Sequence, residues 1–384
     1  MNLSREVIER IDAFQVKLQE RGIDLALILQ KTDEYYLSSS LQPELLAISQ
    51  DESFAISRKN LSRLKSETPI GILKIDSLKE LPDILKEEGF SFKRVGFELD
   101  VLPFSLLEFL RKLISPKEIF DVSEIILELR ERKSSYELEM IKRASEIVDL
   151  GLGYLCKILR EGMREIDLAL KIEARMREEG HQGIVRMRRF NQEVFYGHVL
   201  SGESGGLRSY MNSPTGGIGV SRAISQGAGY KKIRRGEPIF VDMVGAYQGY
   251  LSDETRIFVL GNLSPDLEEL YLSTLNTLNS VISLCKVGKR TSEIYEEVFS
   301  NLENPILQSS IKKTGFLGHG VGLELDERPL FSKGSGEVLR ENMTFALEPK
   351  AITKKGAIGI ENTYLLEKRG IKVFNRLEEE VIRL

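Results

Sequence analysis

Cysteine and histidine are scarce in this 384-residue chain: two of the first and three of the second. The two cysteines, Cys156 and Cys285, exclude a disulfide framework by count, and their apolar helical settings ("GYLCKIL", "VISLCKV") predict buried, reduced thiols. No stretch approaches 18 uninterrupted apolar residues, so no membrane span is expected. The opening "MNLSREVIERIDAF" carries charges where a signal peptide needs its apolar run, which makes the cytoplasm the expected address. A net charge of −4 gives no basic excess, so neither nucleic acid nor an acidic membrane is expected as a partner. What remains, 41% hydrophobic and 29% charged residues, is the composition of a globular protein, and its length predicts two domains.

The texture of the chain changes near residue 125. Up to that point helical and strand patterns alternate. "REVIERIDAFQVKLQERG", "SLKELPDILKEEG" and "PFSLLEFLRKLI" have helical spacing, and the short apolar runs "DLALILQ" and "RVGFEL" read as strands. Residues 1–125 are therefore expected to form an α/β domain. A charged helical region follows, with one helix over about 123–132, a break at Ser134-Ser135, and a second helix opened by serine and Glu137 as a capping box. Between Gly197 and Gly249 glycine rises and short strands replace long helices. "SPDLEELYLSTLNTLNSVISLCKVG" restores a helix, with Ser264 as its cap and Pro265 at its first position. No repeat and no low-complexity tract is present.

Within the later part, acidic residues stand where a core should be. "VDMVGAYQGYLSDETRIF" holds Asp242 and Asp253 eleven positions apart in two strand-like runs joined by the turn "GAYQGY", so the two carboxylates can meet across a hairpin. "GFLGHGVGLELDERP" offers His319 between glycines. "TFALEPK" and "GAIGIENTYLLEK" each place a glutamate, Glu348 and Glu361, at an apolar strand. Each of the five taken alone reads as a turn or surface residue. Together, four converging carboxylates need a counter-charge, because a buried unpaired carboxylate costs several kcal/mol. Divalent ions supply one, and Mn²⁺, Co²⁺, Fe²⁺ and Zn²⁺ suit such a donor set.

These segments resemble the pita-bread metallopeptidases, a family that includes aminopeptidase P, prolidase and methionine aminopeptidase, with creatinase as a metal-free relative. The resemblance covers about 130–384. "VDMVGAYQGYLSDETRIFVLG" is similar to the family's strand-turn-strand with two ligand aspartates; "GHGVGLELDERP" resembles the segment of its ligand histidine, and "NMTFALEP" and "GIENTYLLE" resemble the strands of its ligand glutamates. The layout of residues 1–125 is similar to the amino-terminal domain of the creatinase and aminopeptidase P branch. The resemblance implies a creatinase-type α/β N-terminal domain (1–125) and an α+β pita-bread catalytic domain (126–384). It also implies two divalent ions, Mn²⁺ first among them, on Asp242, Asp253, His319, Glu348 and Glu361, with Glu348 also shuttling protons. A homodimer is implied as well.

Two departures bear on substrate. Proline-specific members carry a histidine seven residues past the metal histidine, where this chain has Asp326, and another in a segment like "SGENGxxxHY", where "SGESGGLRSY" has Ser209. The stretch "MNSPTGGIGVSRAISQGAGYKKIRRGE" adds length before the first ligand strand. His198 in "FYGHVLSGESGG" is the one histidine near that segment and a candidate for the missing role. Asp326, Ser209 and Arg328 are candidates for substrate contact, with Glu327-Arg328 as an alternative ion-pair partner for Asp326. The arginines of "VRMRRF" (Arg186, Arg188, Arg189) and the cations of "YKKIRRGE" read as solvated faces, with an anion anchor as the second reading. The expected chemistry is attack of metal-activated hydroxide on an amide C–N bond near the amino end of a short peptide. An Xaa-Pro aminopeptidase or dipeptidase leads. A non-peptide amidohydrolase and a non-catalytic binding homologue stay open.

Overall fold

The computed structural model describes residues 3–211 and 213–384, so Asn212, inside the added stretch, lies outside the described residues. The chain divides into two compact units, Met1–Arg130 and Glu131–Leu384, where the sequence placed the division near 125.

The first unit contains helices α1 (Leu3–Glu20), α2 (Lys31–Ser38), α3 (Leu61–Glu67), α4 (Leu81–Glu87) and α5 (Phe104–Ile114), and α6 (Ser123–Glu131) runs to its end. Its strands are β1 (Leu25–Ile28), β2 (Leu45–Ser49), β3 (Ser53–Ser57), β4 (Gly71–Lys74), β5 (Arg94–Phe97) and β6 (Glu118–Asp121). They form one six-stranded mixed sheet in the order β4-β3-β2-β1-β5-β6. Strands β1, β5 and β6 run parallel, as suits the alternating helical and strand patterns of an α/β domain. β2 and β3 are antiparallel neighbours that the sequence reading passed over. The apolar faces of β1 and β5 meet α4 and α5 in a core that includes Leu25, Leu27, Val95, Phe97, Leu85 and Leu110.

The second unit opens with α7 (Ser135–Ile158), and both halves of the capping box are made: Ser134 accepts from the Glu137 amide while Glu137 accepts from the Ser134 amide. Helix α8 (Glu165–Glu178) follows, then strands β7 (Gly197–Ser201), β8 (Ile239–Tyr247) and β9 (Tyr250–Val259). Three helices come next, α9 (Pro265–Leu284), α10 (Thr291–Ser300) and α11 (Pro305–Thr314), and then β10 (Gly318–Gly320), β11 (Thr344–Leu347), β12 (Lys350–Thr353), β13 (Gly356–Gly359), β14 (Asn362–Glu367), β15 (Gly370–Val373) and β16 (Ile382–Arg383). One antiparallel group is β10-β11-β14-β15, another is β9-β8-β7 with β16 added parallel at its edge, and β12-β13 is a separate hairpin. Helices α7 and α8 bury Ile147, Leu152, Leu168 and Ile172 against Val199, Val241 and Met243. Helices α9–α11 cover the other strands through Leu278, Ile294 and Leu307 with Phe240, Phe345 and Leu347. The strands that carry Asp242 and Asp253 are thus walled by apolar packing on both flanks.

The thiol expectation holds at one position only. Cys285 is buried, and burial pushes its thiol up to about 12, whereas Cys156 is exposed on the outer face of α7. Among the described residues no helix is long and apolar enough to cross a membrane.

Candidate metal centre

The β8–β9 hairpin explains why the two aspartates stand eleven residues apart. Its two-residue loop, Gln248-Gly249, has both residues at positive φ (49° and 90°), which is the type I′ pattern that suits strand twist. Asp242 then pairs with Thr255, and Asp253 with Val244. Side chains alternate along a strand and share a face across a ladder, so Asp242 and Asp253 are diagonal neighbours on one face. His198 on β7 lies directly opposite Asp242 and joins the same face.

The remaining three residues arrive where strands end. His319 is central in β10, opposite Ala346. Glu348 follows β11 directly, its amide bonded to the Leu317 carbonyl at 2.9 Å. Glu361 sits between β13 and β14 and exchanges backbone bonds with Thr255 of β9, both at 3.3 Å, which stitches one sheet to the other. All five residues are 9% exposed or less.

His319 is oriented by the backbone. Its Nδ1 lies 2.9 Å from the Leu325 carbonyl and 3.0 Å from that of Gly320, so Nδ1 donates to the backbone and Nε2 turns inward. Nε2 faces Glu348 Oε1 at 3.2 Å and Glu361 Oε1 at 3.8 Å; burial acts downward on the ring but is overcome by Glu348, Asp326 and Glu361, which hold it well above its ordinary value. Acceptors facing one another this closely need a proton or a cation between them. Asp253 Oδ1 and Glu361 Oε1 are buried with no hydrogen-bond partner. One donor atom from each of Asp253, His319 and Glu361 lies within 4.8 Å of the others. These three fit one divalent ion.

A sixth buried group was not read from the sequence. Lys350, the first residue of β12, is 4% exposed and sends its Nζ to Glu361 Oε2 at 2.6 Å, Glu348 Oε2 at 2.7 Å and Asp242 Oδ2 at 2.9 Å. The only advance signal was its spacing, two residues beyond Glu348 in "EPK".

The protein's own charges do not balance here. Burial, with Glu361 and Asp242 alongside, holds the Asp253 carboxyl well above its ordinary range. Burial and Glu348 push Glu361 up to about 8. For Glu348 burial acts upward but is overcome by Lys350 and His319, which bring it down to about 2. The upward shifts of Asp253 and Glu361 are relieved when more positive charge enters the site.

The cleft beside these residues is lined by His198, Met211, Ser213, Pro214 and Gln226 together with Asp242, Asp253, His319, Glu348 and Lys350. Part of the added stretch before β8 therefore forms its wall. His198 holds Thr215 Oγ1 from Nδ1 at 2.8 Å and approaches Gln226 Oε1 from Nε2 at 3.4 Å; burial keeps its ring below the usual histidine value. Asp326 also lines the cleft, with Oδ1 3.8 Å from His319 Nδ1.

Two expected substrate contacts are not brought to this cleft. Ser209 lies outside its lining and accepts from the Met211 amide at 3.1 Å. Arg328 faces Glu131 and Glu337, each at 3.9 Å. Glu327 turns away from Asp326 to Lys133, at 3.0 Å. Of the cationic runs, Arg188 faces Glu324 at 3.6 Å and Lys231 holds Glu237 at 2.7 Å, while Arg189 lines an adjoining cleft that it shares with Asp326 and His319.

The model of metallopeptidase family M24 matches residues 139–368, more than half of the chain. The chain belongs to metallopeptidase family M24. Residues 10–132 match the creatinase/prolidase N-terminal domain, so this M24 chain has both domains that the sequence resemblance implied. An Xaa-Pro dipeptidase of Pyrococcus horikoshii is 28% identical over 393 residues, covering 100% of both chains. An Xaa-Pro dipeptidase of Pyrococcus furiosus is 27% identical, covering 97% of this chain and 99% of that one. The solved prolidase from Pyrococcus horikoshii superposes with a TM-score of 0.79 at 27% identity, over 97% of this chain and 100% of that one. An Xaa-Pro dipeptidase structure from Bacillus anthracis, at 24% identity and TM-score 0.82, shares the fold over 98% of this chain and 100% of that one.

Proposed function

We propose that this M24 chain is a divalent-metal-dependent dipeptidase that hydrolyses an amide C–N bond near the amino end of short peptides. The observation that carries this reading is the buried donor set Asp253, His319 and Glu361, with two orphaned carboxylate oxygens, beside a cleft that Asp253 and His319 line. Asp242 and Glu348 complete the acidic wall. Mn²⁺ is the first ion to try on carboxylate and imidazole donors, with Co²⁺, Zn²⁺ and Fe²⁺ after it.

A bound divalent ion supplies Lewis-acid polarisation of a carbonyl and acidification of water near neutral pH. The chain's own groups do the rest. Glu348 Oε2 is held by Lys350, which leaves Oε1 to take a proton from water and return it to the leaving amine. His198, neutral through burial, offers its ring to the scissile group from beside Asp242, on the same sheet face. Asp326 sets a negative charge at the cleft and favours a substrate with a free ammonium group. Met187, Val194 and Leu325 keep the cleft partly dry, which strengthens each of these interactions.

The relatives' names put Xaa-Pro dipeptides first in a substrate panel. The absence of the two expected histidines makes other dipeptides the better substrates in this reading. A homodimer in the cytoplasm, without nucleic-acid or membrane partners, belongs to the same proposal, and light scattering tests the dimer. The decisive assay incubates the Mn²⁺- or Co²⁺-loaded protein with dipeptides and with non-peptide amides, beside Asp253→Ala. Dipeptide hydrolysis lost together with metal in the variant is the expected result. Turnover of amides alone would favour the amidohydrolase reading, and bound metal without turnover of either class would favour a binding homologue.

A further inference from the structure

We propose that the ammonium of Lys350 takes the place of a second metal ion, so that this centre holds one divalent cation where a pair was expected. The inference rests on reading the five side chains as a metal centre. Three oxygens from three different carboxylates, Asp242 Oδ2, Glu348 Oε2 and Glu361 Oε2, converge on Nζ at 2.9, 2.7 and 2.6 Å. A cation bridging those oxygens would have to share the ammonium's position. The complementary atoms of the same cluster, Asp253 Oδ1, Glu361 Oε1 and His319 Nε2, are left clear of the lysine and define the position that remains.

The placement is built into the strand pairing. Lys350 pairs with Gly359 across the β12–β13 hairpin, and a Cβ on residue 359 would stand 2.7 Å from Lys350 Cγ. The bare backbone of Gly359 is what gives the lysine stem its channel. The ring of Phe240 lies 5.7 Å from Nζ and closes another side of the ammonium's site. An ammonium this enclosed and held by three carboxylates is a fixed charge of +1. Unlike a metal ion, it has no open coordination position for water. Glu361 then bridges two unlike cations, the lysine through Oε2 and the ion through Oε1.

The test is metal stoichiometry, read without any activity assay. The wild type and Lys350→Ala, both stripped with chelator and dialysed against excess Mn²⁺, are analysed for bound metal per chain and for Mn²⁺-dependent thermal stability. One Mn²⁺ in the wild type and two in Lys350→Ala, with a larger rise in unfolding temperature on Mn²⁺ addition for the variant, is the expected outcome. Two ions in the wild type overturn the inference, as does one ion in both proteins. Should Lys350→Ala fail to fold without metal, the wild-type count decides alone, and any value other than one overturns the proposal. No ion in either protein removes the metal-centre reading itself, and this inference with it.

Discussion

Thr363 does for Asp253 what a strand neighbour would do. Its hydroxyl oxygen accepts the Asp253 amide at 2.8 Å and donates to the Asp253 carbonyl at 3.0 Å, closing both backbone groups of a candidate ligand with one side chain. The Thr363 amide is in turn held by Asn375 Oδ1 at 2.7 Å. A threonine can make this double contact because its hydroxyl both donates and accepts.

Thr363→Val keeps the shape and removes both bonds, leaving two buried backbone groups of Asp253 unpaired. A loss of about 1–3 kcal/mol in stability is expected for each group left unsatisfied, so the total falls at the upper end of ordinary substitutions. Thr363→Ser should recover most of it. Urea unfolding of the three proteins checks the loss, and a Val variant as stable as the wild type would refute the role. Metal retention should weaken in parallel, because Asp253 is no longer held in place.

Arg256 performs the matching task for Glu361. Fully buried, it donates from Nη1 to the carbonyls of Glu361 (2.8 Å) and Thr255 (2.9 Å) and from Nη2 to Asn362 Oδ1 (2.7 Å) and the Leu377 carbonyl (2.8 Å); Nε reaches the Glu378 carbonyl at 2.9 Å. All five guanidinium protons are used. It also neutralises buried Glu254 at 3.0 Å. Arg256→Met strands that carboxylate, and breaking a buried pair costs roughly 3–5 kcal/mol. Arg256→Lys keeps the charge without the fork and should still be destabilised. A melting temperature unchanged in either variant would contradict this account.

His181 predicts an acid-side weakness away from the candidate ligands. Its Nδ1 accepts the Gly183 amide at 2.9 Å, its Nε2 donates to the Val244 carbonyl at 2.9 Å, and the ring stacks on Tyr196 at 4.3 Å. Burial pushes the ring down to about 4 from an ordinary 6.5. Between those values the unfolded chain takes up a proton that the folded ring refuses, so stability falls as pH drops from 6.5 toward 4. The loss should reach on the order of 3 kcal/mol at most. His181→Gln should flatten that segment of a stability-against-pH curve measured by chemical denaturation. An equal slope in the variant would assign the weakness to other groups.

Position within the cleft separates three of the candidates, His198, Asp326 and Ser209. His198→Ala should lower kcat/KM for dipeptides by about 10- to 100-fold, the worth of one or two lost hydrogen bonds in a site. Asp326→Asn should raise KM for substrates with a free amino group and spare those with a blocked one. Ser209→Ala should change neither by more than about twofold, because Ser209 does not line the cleft. A large effect at Ser209, or none at His198, would reverse the assignment of the walls.

The residue types, their order and their periodicity, together with the family resemblance, made Asp242, Asp253, His319, Glu348 and Glu361 candidates, since an acid in an apolar strand is costly without a cation and strand spacing puts both aspartates on one face. Local chemistry also made the α7 capping box and the Gln248-Gly249 turn legible, because each depends on residues only a few positions apart. Tertiary structure alone decided the rest. That Lys350 points into the acids depends on its pairing with Gly359 nine residues later and on Glu361 being stitched to β9, relations that strand spacing by itself does not encode. Ser209 and Arg328 occupied suggestive places in the sequence, yet loop paths carry them to other partners. Cys156 sat in an apolar helical run but falls on the outward face, since burial is set by what packs against a helix as well as by its own pattern.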